Sequence, residues 1–185
     1  GIDCHIGSQL TNVRPLREAV VKIAGLIQQL GREGHQISHV DVGGGLGIRY
    51  HRENPPTLAA YSRAICEPLS AIDATLIVEP GRVLVGNAGV LLTRVLYRKQ
   101  SAKKRLVIVD AGMNDLLRPA LYDAHHEIVA VAPRSPHREI CDVVGPVCES
   151  SDVLGRRRRL PPLDAGDLLA IQSAGAYGMS MSSTY

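Results

Sequence analysis

The sequence has no phenylalanine and no tryptophan among its 185 residues, and tyrosine is its only aromatic residue type. A core must therefore come from Val, Leu, Ile and Ala. No apolar run approaches the ~20 residues that cross a bilayer, so no membrane span is expected. The four cysteines, Cys4, Cys66, Cys141 and Cys148, form no C-x-x-C pair. That spacing argues against a zinc ribbon or a thioredoxin motif, predicts no metal site and favours a reducing, cytoplasmic home. A net charge of +3 gives no ground for a nucleic-acid partner. No leader pattern is visible and the chain opens with Gly1, which predicts a fragment or a processed chain.

Strand and helix signals alternate through the first half. Ile2–Ile6 reads as a short strand. From Pro15 to Leu30, Leu16, Ala19, Val20, Ile23, Ala24, Ile27 and Leu30 fall on one helical face, with Gly31 and Gly34 ending the helix. A strand over Ile37–Val42, a helix over Leu58–Ile72 containing Pro68, and a strand over Thr75–Val78 complete a βαβαβ series. Such a series predicts a parallel sheet with right-handed crossovers. Beyond Ala88 the strand-like runs Val90–Tyr97, Arg105–Asp110, Glu127–Ala132, Ile140–Val144 and Leu168–Gln172 have no long helix between them. They predict an antiparallel β domain over residues 88–185, after an α/β domain over residues 1–87. Arg156–Arg159 carries no interleaved aromatic residue and reads as a solvated loop rather than a nucleic-acid patch.

The stretch "HVDVGGGLGIRY" places four glycines within five residues after an apolar strand. Ile48 stands where a dinucleotide fingerprint needs its last glycine, and no lysine follows Gly47 as a triphosphate loop requires. The loop is therefore a candidate cradle for a simpler phosphate, or else an ordinary tight turn. The other two early strands also end in polar clusters: His5, Gly7 and Ser8 in "HIGSQ", and Glu79, Pro80, Gly81 and Arg82 in "EPGR". Three clusters at the carboxyl ends of successive parallel strands match the face of a (β/α)₈ barrel that carries active sites, where late loops often bind phosphate. The bland alternatives are a structural His5 and an ion pair between Glu79 and Arg82.

Further motifs follow. "DAGMNDLLRPALY" sets Arg118 and Tyr122 four residues apart. "GPVCESSD" surrounds Cys148 with Glu149, Ser150 and Asp152, poor company for a buried thiol. "SAGAYGMSMSSTY" puts Tyr177 between small residues.

Taken together and in order, "HIGSQ", "DVGGGLGIRY", "EPGR", "DAGMNDLLRPALY", "GPVCESSD" and "GAYGMSMSSTY" resemble the diaminopimelate decarboxylases, within the alanine-racemase-like (fold-type III) class of pyridoxal-phosphate enzymes. "MNDLLRPALY" with "CES" favours that family over the ornithine and arginine decarboxylases, which stay as alternatives beside a non-catalytic, protein-binding relative. The resemblance implies the C-terminal part of a (β/α)₈ barrel followed by an incomplete antiparallel β domain. It implies pyridoxal 5'-phosphate as cofactor, an amino-acid substrate, and a homodimer with shared active sites. The implied reaction is decarboxylation of meso-2,6-diaminopimelate to L-lysine, the last step of lysine biosynthesis.

By motif position, the resemblance places His5 against the cofactor ring and Glu79 at its pyridine nitrogen. Ser8, Gly43, Gly44, Gly45, Gly81, the Arg82 backbone and the Tyr177 hydroxyl would hold its phosphate. Arg82, Arg118, Tyr122, Glu149 and Tyr177 would bind substrate, and Cys148, from the other subunit, would donate the proton. The chemistry agrees with these types of residue. A carboxylate holds a proton on a ring nitrogen, arginine's planar fork matches a carboxylate, and a thiol can protonate a carbanion. One departure stands out. The family attaches its cofactor to a lysine on an early barrel strand, yet Lys22, Lys99, Lys103 and Lys104 occupy no such position. The chain is therefore expected to lack roughly the first half of the enzyme, to be cut before the family's C-terminus, and to be unstable and inactive alone.

Overall fold

A computed structural model describes residues 1–102 and 104–185. The chain divides into two compact units, Gly1–Leu84 and Val85–Tyr185.

In the first unit, β1 (Ile2–Asp3), β2 (His39–Asp41) and β3 (Thr75–Ile77) form a parallel sheet in that order. Ile2 lies opposite Val40, and Val40 opposite Leu76. The parallel ladder runs past the strand ends, through Cys4 N–H to Asp41 O, Val42 N–H to Ile77 O and Glu79 N–H to Gly43 O. Helix α1 (Arg14–Arg32) joins β1 to β2, and α2 (Leu58–Leu69) joins β2 to β3. The expected stripe of α1 is buried: Leu16, Val20, Ile23, Ala24 and Ile27 face inward, four of them clustering with Val40, Val42 and Ile65.

Local signals explain the helix ends. Pro15 occupies the first turn of α1, where its missing N–H costs nothing. Gly31 lies inside the helix rather than ending it. Gly34, at φ +89°, makes the stop, with His35 N–H reaching Leu30 O and Gly34 N–H reaching Gly31 O. The Thr57 hydroxyl accepts from Ala60 N–H to start α2. Pro68 stands in its last turn, so α2 stops at Leu69, short of the expected Ile72. A four-residue helix, α3 (Arg82–Val85), follows "EPG".

The second unit is a six-stranded sheet of β4 (Leu91–Gln100), β5 (Arg105–Val109), β6 (Ile128–Ala130), β7 (Glu139–Val144), β8 (Val153–Leu160) and β9 (Leu168–Ile171). Their order is β6-β9-β4-β5-β7-β8. Short helix α4 (Arg118–Tyr122) lies between β5 and β6. Two expectations are corrected here. The sheet is mixed, not antiparallel, because β5 and β7 run parallel with Val107 opposite Val143. The long excursion between them, through α4 and β6, gives the chain room to return in the same direction. Arg156–Arg159, expected as a loop, lies within β8 and pairs with β7. A bulge explains how four arginines fit a strand. Cys141 pairs with Arg158 and Val143 with Gly155, so Arg156 and Arg157 together oppose Asp142. Asp142 Oδ1 accepts from Arg157 N–H at 2.7 Å and holds Arg157 at φ +50°.

Edge strands β6 and β8 approach each other, so the sheet curls toward closure. Val95, Val107, Val109, Val143, Leu154, Leu160, Leu169 and Ile171 fill its interior, built without an aromatic ring.

Candidate functional site

The three polar clusters of the first unit lie at the carboxyl ends of β1, β2 and β3. Their glycines let backbones meet. A Cβ on Gly44 would overlap the Glu79 carbonyl oxygen, one on Gly45 the Gly7 carbonyl oxygen, and one on Gly43 the His5 ring. Gly43 (φ +67°) and Gly45 (φ +90°) also hold conformations that side chains resist. Leu10 N–H donates to Gly45 O at 2.8 Å, and Gly47 N–H to Leu10 O, so the glycine loop is stitched to the "HIGSQ" segment. Much of the glycine content therefore serves loop-on-loop packing. Gly81 differs: nothing lies within 4 Å of the position its Cβ would take.

His5 Nδ1 accepts from Gly44 N–H at 3.3 Å. A backbone N–H only donates, so Nδ1 carries a lone pair and the ring proton sits on Nε2. The 4.0 Å separation from His5 Nδ1 to Glu79 Oε2 is then an approach of two acceptors rather than an ion pair. The Arg82 guanidinium donates to Ser8 Oγ at 2.8 Å and to the Tyr50 hydroxyl, with its carbon 5.6 Å from the centre of the Tyr50 ring. The His5–Glu79 approach and the Ser8–Arg82 hydrogen bond thus both lie around the glycine loop.

Two acidic residues join this site without having been expected. Asp41 Oδ1 accepts from Gly43 N–H at 2.8 Å and fixes the start of the loop. Asp3, Asp41 and Glu79 bring one carboxylate oxygen each within 4.8 Å of the others. Such a group of like charges favours a cationic group in front of Glu79. Burial, and then Asp41, raise the Tyr61 hydroxyl above its ordinary pKa.

In the second unit, Arg118 opens α4 and is only 7% exposed. Its Nη1 lies 2.9 Å from His126 Nε2, and His126 Nδ1 lies 2.9 Å from the Gln172 carbonyl oxygen. His126 is completely buried. Burial, with the charges of Arg118, His125 and Arg158, outweighs the bond to Gln172 and lowers its pKa to about 4. Tyr122, at the other end of α4, is exposed.

Cys148 and Glu149 are exposed on the turn between β7 and β8. Asp152, 3% exposed, holds that turn. Its Oδ1 accepts from Met113 N–H and its Oδ2 from Val147 N–H, both at 2.7 Å. One carboxylate thereby ties "GPVCESSD" to "DAGMND". Gly145 leaves room for it, since a Cβ there would overlap both carboxylate oxygens. Glu149 Oε1 accepts from the Tyr185 hydroxyl at 2.9 Å. Tyr177 sits at φ +60°, a left-handed conformation unusual for a ring-bearing residue, and is partly exposed.

Asp41 and His126, not named from the motifs, and Asp152, named only as a neighbour of Cys148, are therefore the side chains that hold the candidate residues in place. His126 had a readable signal, since it shares the inward parity of Ile128 two residues on.

Residues 8–175 match the family described as pyridoxal-dependent decarboxylase, C-terminal sheet domain. The chain is 54% identical, over all of its length, to diaminopimelate decarboxylase of Pseudomonas aeruginosa, of which it covers 44%. It is 52% identical, again over all of its length, to that of Neisseria meningitidis serogroup A, of which it covers 45%. The crystal structure of diaminopimelate decarboxylase from Helicobacter pylori complexed with L-lysine superposes with a TM-score of 0.93 at 49% identity, over 98% of this chain and 45% of that one. The chain thus spans less than half the length of the curated relatives it matches.

Proposed function

Since the chain belongs to the pyridoxal-dependent decarboxylase family, we propose that it is part of a longer enzyme that decarboxylates meso-2,6-diaminopimelate to L-lysine and CO₂. The observation that carries this reading is the meeting of His5, the glycine loop, Glu79 and the Ser8–Arg82 pair at three parallel strand ends. Relatives of that name at about half identity over the whole chain support it. Residues 1–87 belong in this reading to the late strands of a (β/α)₈ barrel, and residues 88–185 to a β domain that supplies substrate contacts. The whole enzyme is a cytoplasmic homodimer with shared sites.

The residues present fit pyridoxal 5'-phosphate. Ser8, Gly45, Gly81 and the Arg82 backbone would supply hydroxyl and N–H donors of the kind a phosphate needs, while Gly43 and Gly44, whose N–H groups bond Asp41 and His5, would line the cradle as bare backbone; the reading adds the Tyr177 hydroxyl. The open space before Gly81 suits the approach of such a group. When bound, the cofactor accepts the electron pair left by departing CO₂. Glu79 would hold a proton on its ring nitrogen, and the neighbouring Asp3 and Asp41 carboxylates would strengthen that preference for positive charge. His5, its Nδ1 held by the Gly44 N–H, would lie against the cofactor ring. Arg82, Arg118, Tyr122, Tyr177 and Glu149 read the distal ammonium and carboxylate of the substrate, and the exposed thiol of Cys148 returns a proton across the dimer.

In this reading the lysine on an early barrel strand comes from another part of the enzyme. Lys22 lies on α1, Lys99 on β4 and Lys104 in the loop before β5, while Lys103 falls outside the described residues. Residues 1–185 alone are therefore inactive, and three strands with open edges leave them prone to association.

In the full-length enzyme, Cys148→Ala is expected to slow turnover of meso-diaminopimelate about 10²–10⁴-fold, the range for loss of a general acid, with cofactor absorbance unchanged. Unchanged turnover would remove Cys148 from this role. Faster turnover of ornithine or arginine by the wild type would replace the substrate assignment.

A further inference from the structure

We propose that His126 is a positioning residue, which sets the Arg118 guanidinium in the orientation that binds the substrate's distal carboxylate. This rests on the reading of Arg118 as a substrate ligand.

The chain path brings the two residues together. Arg118 opens α4, Asp123 at φ +50° reverses the chain, and Ala124 N–H returns to Arg118 O at 3.3 Å. Eight residues after Arg118, His126 enters the sheet just before β6. Its anchor is rigid, since Gln172 follows directly on β9 and its N–H donates to Glu127 O at 2.8 Å.

The roles of both ring nitrogens follow from their partners. The Gln172 carbonyl only accepts, so His126 Nδ1 carries the hydrogen and donates at 2.9 Å. Nε2 then holds the lone pair and accepts from Arg118 Nη1–H at 2.9 Å. A protonated ring would face the guanidinium donor to donor and cation to cation. Arg158, whose Nη1 lies within 2.9 Å of both His125 ring nitrogens, adds further positive charge nearby. Complete burial keeps water from replacing the acceptor. One guanidinium N–H is thus bound to a ring that the sheet itself holds in place. That fixes the plane of the fork, and bidentate binding of a carboxylate depends on that plane. An ammonium at the same place would be a point charge without such a plane to orient.

The test is steady-state kinetics of the full-length, cofactor-loaded enzyme on meso-diaminopimelate, with Arg118→Ala, His126→Phe, His126→Gln and the Arg118→Ala/His126→Phe pair. His126→Phe removes the acceptor and is expected to raise KM at least about 10-fold, with kcat within about 3-fold and cofactor absorbance unchanged. Glutamine can donate to Gln172 and accept from Arg118, so His126→Gln is expected to return KM to within about 3-fold of wild type. The double variant should have the KM of Arg118→Ala alone, because His126 acts through Arg118. If His126→Phe does not fold, His126→Asn takes its place, too short to meet both partners and expected to raise KM likewise. An unchanged KM in a folded His126→Phe (or His126→Asn) enzyme, equal impairment by that variant and by glutamine, or full additivity in the double variant would overturn the proposal. An unchanged KM in Arg118→Ala would instead overturn the reading of Arg118 as a substrate ligand.

Discussion

The two units hold their candidate residues by different means. In the first, backbone meets backbone: Gly44 against the Glu79 carbonyl, Gly45 against the Gly7 carbonyl, and the parallel ladder running on into the loops. In the second, buried side chains hold the loops. Asp152 ties two turns together, and His126 links α4 to the end of β9. The difference follows from the strands. The first unit's strands are parallel neighbours whose carboxyl ends lie side by side, so the loops that leave them pack directly on one another. The second unit's candidate loops leave a longer, curled sheet and are secured through buried polar groups.

The sharpest way to break this contrast is a methyl group on the backbone-packed side. Gly44→Ala puts a Cβ on a carbonyl oxygen that cannot turn aside. In the full-length enzyme it is expected to cost about 3 kcal/mol or more, or to prevent folding, as read by denaturant unfolding. Gly81→Ala meets nothing within 4 Å and is expected to stay within about 0.5 kcal/mol of wild type. Its effect should appear as weaker cofactor binding, read by titration of the cofactor-free protein. A tolerated Gly44→Ala would show that the first unit is less dependent on close backbone packing than its geometry indicates. Unaltered cofactor affinity in Gly81→Ala would remove Gly81 from the phosphate cradle.

The same contrast separates what the sequence disclosed from what it hid. The βαβαβ order was legible because α1 buries Leu16, Val20, Ile23 and Ile27 at helical spacing between two short apolar strands. The polar clusters were legible because glycines, Glu79 and Arg82 cannot serve the core there. Strand β8 was not, because its bulge breaks the alternation between Leu154 and Leu160 and its middle reads as pure charge. The parallel pairing of β5 with β7 was hidden for another reason: it depends on residues more than thirty apart, and no local pattern records that choice. Asp152 looks like an ordinary polar neighbour of a motif until tertiary packing buries it, and His126 shows in the sequence only an inward parity with Ile128, not its partners.

The buried polar supports of the second unit predict a dependence on pH that the glycine packing does not. His126 titrates at about 4 in the folded chain and near 6.5 when unfolded. Between those values the unfolded chain binds more protons, so stability rises with pH across the window. Acidification from pH 7 to pH 4 should remove roughly 3 kcal/mol through this one group. Comparing denaturant unfolding of wild type and His126→Gln at the two pH values isolates it from the other titrating groups. Equal losses in both proteins would mean that the ring is already charged, or still hydrated, in the fold.

A smaller effect is expected at the bulge, where the second unit does depend on backbone conformation. Arg157 holds φ +50° because Asp142 takes its N–H and because two residues must fit opposite one. A left-handed residue with a Cβ costs about 1 kcal/mol or more. Glycine would remove that strain but would add freedom to the unfolded chain, worth about 0.4–1 kcal/mol in the opposite direction. Arg157→Gly should therefore leave stability within about 1 kcal/mol, with the bulge intact. Arg157→Val, β-branched and hostile to positive φ, should lose more than Arg157→Gly in the same unfolding experiment. A valine variant as stable as the glycine variant would mean that the bulge can shift register, and that Asp142 does not pin it.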